Sequence, residues 1–278
     1  MKSTIFWAAA GVLVMWPKME MGTQGLTVPG NQVAERSTSM DDFSWHRKMA
    51  PGQTLEIKGV NGSITAVPAD GDEAEVTATK RARRSDPDDV EIKVIETSDG
   101  VTICAVYPTP ARSRQENECA RGHDGHMNTE NNDVTVTFTV KVPRGVRYEP
   151  RTVNGDVRAA GLKSDIVAST VNGGVRISTS GRAEATTVNG DIDASMGNAD
   201  WGDDVSFTTV NGGITLDLPA NVNAELRAST VNGDITSDFP VTVRGRFGPR
   251  KMSGTLGHGG HELELETVNG SIVLRKGE

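Results

Sequence analysis

His123-Asp124-Gly125-His126 places two imidazoles and a carboxylate within four residues. These are the side-chain types that zinc takes, but zinc needs three or four ligands in fixed geometry. Glu116 and Glu118 are the nearby groups that could complete a set. The segment is polar, contains glycine and follows Cys119, so it reads as a solvated loop and no metal is assigned. His258-Gly259-Gly260-His261 reads the same way. Cys104 and Cys119 are the only two cysteines. They are too few for a metal site and lack the Cys-x-x-Cys spacing of a redox pair. A disulfide that closes a short polar loop is the expectation. Asp156, Asp191 and Asp234 recur at one position of a repeat, and a stacked acidic row could offer oxygens to calcium. Gly174 and Gly213 interrupt that row, and calcium-binding β-rolls use a denser Gly-Asp pattern. These aspartates are read as solvent-facing turn residues.

Catalysis finds little footing. Glycoside cleavage needs a close pair of carboxyl groups, whereas Glu184, Asp193 and Glu225 are scattered. No Gly-x-Ser-x-Gly elbow and no phosphate-cradling glycine loop is present. No catalytic residue and no cofactor are assigned. Trp201, in the glycine-rich stretch 196–204, could stack on a sugar if exposed, or could cover the core. The run Lys80-Arg81-Ala82-Arg83-Arg84 is followed by Asp86, Asp88 and Asp89, which cancel it. The net charge is −8, and an acidic chain repels phosphate backbones, so nucleic acid is excluded as a partner.

The elements that would carry these groups follow from a repeat. Its copies turn at Asn61-Gly62, Asn154-Gly155, Asn172-Gly173, Asn189-Gly190, Asn211-Gly212, Asn232-Gly233 and Asn269-Gly270, each with Val before and Ile or Val two residues after the glycine. From Asn154 to Asn232 the spacings are 18, 17, 22 and 21 residues. A period near 20 indicates a solenoid or a regular array. Asn-Gly tolerates positive φ, which predicts a sharp turn. Alternating runs such as Leu263-Glu264-Leu265-Glu266-Thr267 flank it and predict strands with one buried face.

Two architectures fit. The first is a parallel β-solenoid with one Asn-Gly corner per coil, in which equivalent asparagines stack. Lys163-Ser164, Ser180-Gly181 and Pro219-Ala220-Asn221 would supply the opposite turns. The second is an array of antiparallel hairpins, since Asn-Gly is also a strong hairpin signal; Leu265 would then face Leu274. Near-identity of the turn from copy to copy favours the solenoid. A lone coil of about 20 residues costs ~20–40 kcal/mol in backbone entropy. Its few buried side chains return about 1.5–3 kcal/mol each, so coils must stack and the stack must be capped.

Residues 43–145 form an N-terminal β region that holds the first repeat and the disulfide loop, and residues 146–278 form the β-repeat stack. Strands expected within 74–142 suggest a strand-rich cap at the N-terminal end. At the far end, Arg275, Lys276 and Glu278 are expected to protect the edge. Upstream, Lys2 and the apolar run Ile5–Trp16 resemble a secretory signal peptide, assigned to 1–22. Residues 23–42 read as a flexible linker. No segment of the mature chain is long and apolar enough to span a bilayer. An exported protein, periplasmic or at the cell surface, is expected.

The Thr-Val-Asn-Gly copies, with Ile103-Cys104-Ala105-Val106-Tyr107-Pro108 and Val140-Lys141-Val142-Pro143-Arg144-Gly145-Val146, resemble a group of bacterial β-strand-repeat proteins of unassigned function, often labelled adhesins. The resemblance covers residues 43–276. It implies a β-solenoid-like fold, export and no known active site. The expected role is therefore non-enzymatic, as an adhesin or envelope interaction module that contacts cell-wall or surface polysaccharide or an envelope protein. Envelope-stress signalling and a β-helix polysaccharide-active enzyme are the alternatives.

Overall fold

The computed structural model describes residues 42–277 apart from 123, 200 and 245–249. The expected leader at 1–22, the linker at 23–42 except its last residue, and His123 lie outside the described residues. Among the described residues no helix is long and apolar enough to cross a membrane.

Each repeat builds one coil with two sides. A strand of an entry sheet runs into the Asn-Gly corner, and a strand of an exit sheet leaves it. The described chain opens with β1 (Asp42–Lys48), and the first coil is β2 (Thr54–Lys58) and β3 (Ile64–Pro68). Next come β4 (Glu73–Arg81), β5 (Glu91–Thr97), β6 (Gly100–Val106) and β7 (Thr135–Val142). Four coils follow in order: β8 (Arg147–Arg151) with β9 (Val157–Leu162), β10 (Ile166–Ser169) with β11 (Val175–Thr179), β12 (Ala183–Thr186) with β13 (Ile192–Met196), and β14 (Val205–Thr208) with β15 (Ile214–Leu218). Then come β16 (Ala224–Asn232) and β17 (Ile235–Ser237), β18 (Thr242–Arg244) and β19 (Arg250–Leu256), and finally β20 (Glu262–Asn269) with β21 (Ile272–Lys276).

The exit sheet has the order β1-β4-β7-β3-β9-β11-β13-β15-β21-β17, and the entry sheet β18-β19-β16-β20-β14-β12-β10-β8-β2-β6-β5. Coil-to-coil pairing is parallel throughout. Leu265 therefore lies beside Phe207 and Ala228, and Leu274 beside Leu216 and Ser237. The hairpin array, which needs Leu265 opposite Leu274, is not the fold.

Period-2 alternation puts one residue of each pair between the sheets. Ile64, Val157, Val175, Ile192, Ile214, Ile272 and Ile235 are in register across seven coils and all are buried. β-branched side chains suit this flat interior. The scarce aromatics are used as core filler: Tyr107, Tyr148, Phe138 and Phe207 are fully buried. Trp201 also belongs to this core, with 6% of its surface exposed. It lies on the long corner between β13 and β14 and, of the two alternatives left open, takes the one that covers the core. A large aromatic in a glycine-rich loop gains more by covering the adjacent apolar side chains than by facing water.

The stack does not follow the sequence. The corner asparagines neighbour one another in the order 61, 154, 172, 189, 211, 269, 232. The seventh coil is inserted between the fifth and the sixth. At the other end, β6 and β7 pair in parallel with β2 and β3 and add a coil outside the first one. This part of the expected cap therefore continues the solenoid.

Antiparallel strands close both ends. β4 and β1 cover β7, β5 covers β6, and β19 and then β18 cover β16. The Trp45 indole donates to Glu96 Oε1 (3.0 Å) and Arg47 pairs with Glu96 (3.3 Å), which ties the edge strand of one sheet to that of the other. At the opposite end the exit sheet stops at β17, only three residues long, and a short edge limits pairing with other chains. Arg275, Lys276 and Glu278 were expected at that end; Glu278 lies outside the described residues, and the other two do not take that place. They lie instead on β21, which the inserted coil places inside the sheet. Lys276 Nζ sits 5.8 Å from the centroid of Phe239, within cation–π range.

Candidate functional site: the asparagine corner

Three residues of the Thr-Val-Asn-Gly turn, threonine, asparagine and glycine, each join neighbouring coils in a different way. Threonine points inward. Thr152, Thr170, Thr187, Thr209, Thr230 and Thr267 are all at most 5% exposed. Each hydroxyl donates to the carbonyl of the turn glycine on the neighbouring coil: Thr152 to Gly62 (3.0 Å), Thr170 to Gly155 (2.9 Å), Thr187 to Gly173 (3.0 Å), Thr209 to Gly190 (3.0 Å), Thr267 to Gly212 (2.8 Å) and Thr230 to Gly270 (2.8 Å). The first copy has Gly59 in place of threonine. There the stack continues into Tyr107, whose hydroxyl donates to the Val134 carbonyl (2.8 Å) and reaches the Asn61 carbonyl (3.4 Å). Burial pushes the Tyr107 phenol up to about 12, so it remains a donor. The sequence reading did not assign these threonines a role, although the signal was present, since six of seven copies carry Thr two residues before Asn.

Thr187→Val keeps the shape and removes the hydroxyl. The Gly173 carbonyl then loses that donor, at about 1–3 kcal/mol. Urea titration of the variant should show a lower midpoint with an unchanged slope. An unaltered midpoint would show that the hydroxyl contributes nothing net.

Asparagine points outward and stacks. Each Nδ2 donates to the neighbouring Oδ1 at 2.8 Å, from Asn154 to Asn61, Asn172 to Asn154, Asn189 to Asn172, Asn211 to Asn189, Asn269 to Asn211 and Asn232 to Asn269. All seven expected corner asparagines thus form one ladder. Each amide but that of Asn61, which only accepts, uses one of its two N–H groups in it.

Glycine is required for a different reason from the one expected. Of the seven turn glycines only Gly62 has positive φ, at 128°. In the others the neighbouring coil's glycine carbonyl lies where a Cβ would stand.

The residue after the turn explains the interrupted acidic row. The Asp156 carboxylate accepts from the Gly174 N–H (2.9 Å), and Asp191 accepts from Gly213 (2.7 Å). Asp156 also pairs with Arg158 at 2.6 Å. These carboxylates hold the next coil by accepting from its backbone. The scattered acids are likewise paired or bonded: Asp193 with Arg176 (3.3 Å), Glu184 with Arg182 (3.2 Å), and Glu225 accepting from Thr255 (3.0 Å). Asp193 lies on the exit sheet, and the two glutamates on the entry sheet are separated by β14 and β20, so no carboxyl pair forms among them. The hollow on the outer face of β9 to β15, about 430 Å3, has Arg158, Arg176, Asp193, Asp217 and Arg275 around it.

Cys104 and Cys119 are disulfide-bonded. The segment that follows Cys119 folds over the outer face of the entry sheet. Lys58 Nζ donates to the carbonyls of Ala120, Gly122 (2.7 Å) and Asp124 (3.3 Å). Glu56, only 2% exposed, accepts from the Gly122 N–H (3.1 Å) and the Thr102 hydroxyl (2.9 Å) and lies 3.5 Å from Lys58 and 3.4 Å from Arg151. Beside it, burial pushes the Glu149 carboxyl up. Hydrogen bonds from Arg147 (2.7 Å) and Arg151 (3.1 Å), with their charge, more than offset this and leave it below the usual carboxylate range. This is a self-neutralising cluster that seats the loop. Of the expected histidines, His126 joins Glu118 through a backbone bridge. His258 and His261 flank the turn into β20, with His261 3.6 Å from Asp204. Among the described residues no three His, Cys, Asp or Glu side chains converge as a metal site would require.

The basic run ends in a turn held by Asp133. Backbone N–H groups of Ser85 (2.8 Å) and Arg84 (3.1 Å) donate to its carboxylate, chiefly that of Ser85, which helps bring it down to about 2. A depressed carboxyl contributes above its unfolded value of about 3.9 and loses that contribution as pH falls through the folded one. Exchange protection of the Arg84 and Ser85 amides should therefore fall between about pH 4 and pH 2. Constant protection over that range would contradict this anchoring.

The fold and the corner define a class: a two-sheet parallel β-solenoid whose coils are joined by stacked Thr-Val-Asn-Gly turns. The chain belongs to the Toastrack DUF4097 family, whose model matches residues 53–275. No curated protein matches it. Among solved structures it is similar to a candidate cell adhesion protein from Clostridium sporogenes, at 12% identity over 85% of this chain and 100% of that one, with a TM-score of 0.43. It is also similar to a candidate adhesin from Bacteroides fragilis, at 10% identity over 86% and 99%, with a TM-score of 0.27.

Proposed function

We propose that this protein is an exported, non-enzymatic interaction module of the cell envelope that holds surface polymers in the manner of an adhesin. The observation that carries this reading is the corner itself. Seven coils present the same outward groups at one spacing, an arrangement suited to many weak, equivalent contacts and not to a single reacting centre. Such contacts gain strength by multivalency. Asp156, Asp191, Asp193, Glu184, Glu56 and Glu149 are engaged with neighbouring cations or with backbone, as structural groups are. The disulfide supports an oxidising compartment.

The test is retention on purified cell-wall and surface polysaccharide fractions. Saturable retention of the folded chain is expected on at least one fraction. Absence of retention on all of them would overturn the reading.

A further inference from the structure

Valine is the one residue of the Thr-Val-Asn-Gly turn with no task in the stack. Val153, Val171, Val188, Val210 and Val231 are 36–43% exposed, and they are five of the six exposed large apolar side chains among the described residues. They form one line beside the asparagine ladder at the inter-strand spacing of ~4.8 Å, in the order Val153, Val171, Val188, Val210 and Val231, with the half-buried Val268 of the inserted coil between the last two. A row one side chain wide falls far below the ~800 Å2 per partner that a stable protein interface buries. This excludes a folded partner or a second copy as the main occupant and leaves a thin, extended one.

The stripe is already used at one end. Val60, in the first coil, is 8% exposed. It lines a hollow of about 250 Å3 together with Gly125, His126 and Met127, from the segment between Cys119 and β7, and Val153 borders the same hollow. The chain's own loop thus seats on the start of the stripe, and the exposed valines continue that interface.

The chemistry of the edge is an amide beside a methyl group, repeated. Each asparagine keeps one N–H and one oxygen lone pair outside the ladder, and each valine offers methyls next to them. An acetamido group carries an amide and a methyl on one unit. A linear glycan repeats that unit along an extended chain and shows apolar C–H faces as well. We propose that the Val-Asn edge from Val153 to Val231 binds a single extended N-acetylated glycan chain laid along the stack. This rests on the polymer-binding reading above and names its surface and ligand class.

The test titrates the full chain with β-1,4-linked N-acetylglucosamine oligomers and with the glucose hexamer of the same linkage, by calorimetry. Val171→Thr/Val188→Thr/Val210→Thr keeps β-branched residues at an exposed edge, and its thermal midpoint should match the parent. The expected result is affinity that rises at least tenfold from the N-acetylglucosamine dimer to the hexamer. The hexamer should bind at least tenfold tighter than the glucose hexamer, and the triple variant should lose at least tenfold. A hexamer that binds no better than the dimer or the glucose hexamer, or equally well to the variant, overturns the proposal. If polysaccharide fractions retain parent and variant alike, the edge is wrong and the envelope reading stands; if neither the fractions nor the hexamer bind, both fall.

Discussion

Gly190→Ala is expected to destabilise the protein by ~4 kcal/mol or more, the range reserved for changes that packing cannot absorb. A Cβ at this position would overlap the Gly173 carbonyl, with the Gly174 nitrogen 2.9 Å away. Both are backbone atoms of a coil pinned on its other side by the next glycine, so neither can swing aside. Relief would need the coils to part, which would stretch the Asn189–Asn172 and Thr187–Gly173 hydrogen bonds together. Gly174→Ala is the matched control. Its Cβ would meet nothing closer than the Asp191 carbonyl at 3.4 Å, so a change within about 0.5 kcal/mol is expected. Chemical denaturation of the two variants side by side tests this. Equal stabilities would mean that the close approach of successive turns is not what selects glycine.

Removal of the disulfide should have the next largest effect. The two cysteines are 15 residues apart, and a closed loop of that size contributes about 3 kcal/mol, chiefly by restricting the unfolded chain. Cys104→Ala/Cys119→Ala should lower the thermal midpoint by roughly 6–12 °C, since 1 kcal/mol corresponds to about 2–4 °C at this chain length. Reductant should shift the parent by a similar amount and leave the variant unmoved. In a stack whose coils contact only their neighbours, the loss should be local. Exchange protection should drop first in β5, β6 and the loop around Gly122, where Cys104, Val106 and Cys119 form a small apolar cluster with Ile95 and Met127. A parent indifferent to reductant would show that the bond does not constrain the unfolded chain.

The solenoid was legible because its corner is made of short-range chemistry. Identical turns at a period near 20 residues demand stacking, and all seven asparagines chosen on that ground lie in the ladder. The glycine argument had the right residue and the wrong cause. Positive φ is a property of one residue and can be read locally, whereas the approach of a neighbouring backbone to Gly155 or Gly190 belongs to the assembled stack. The threonine row needed the same missing information, namely which carbonyl lies within reach of each hydroxyl. Trp201 stayed between two roles because local composition suggests a loop but says nothing of what the loop covers. Coil order was the least legible. The coils share a register and a core residue at each level, so Ile272 fits beside Ile214 as well as Ile235 would. Only the 37-residue gap between Asn232 and Asn269 hinted that the chain leaves the stack and returns.

That return bears on how the protein is assembled during synthesis. A plain solenoid can grow in the order in which it is made, each new turn condensing on the last. Here the sixth repeat emerges before the surface it must rest on exists, because that surface is supplied by β20 and β21. The sixth repeat and its covering hairpin must wait, paired only with each other, until the residues after Glu262 arrive and take their slot against β14 and β15. The final descent to the native state is therefore gated by the far end of the chain, and contacts of long sequence separation are slow to form.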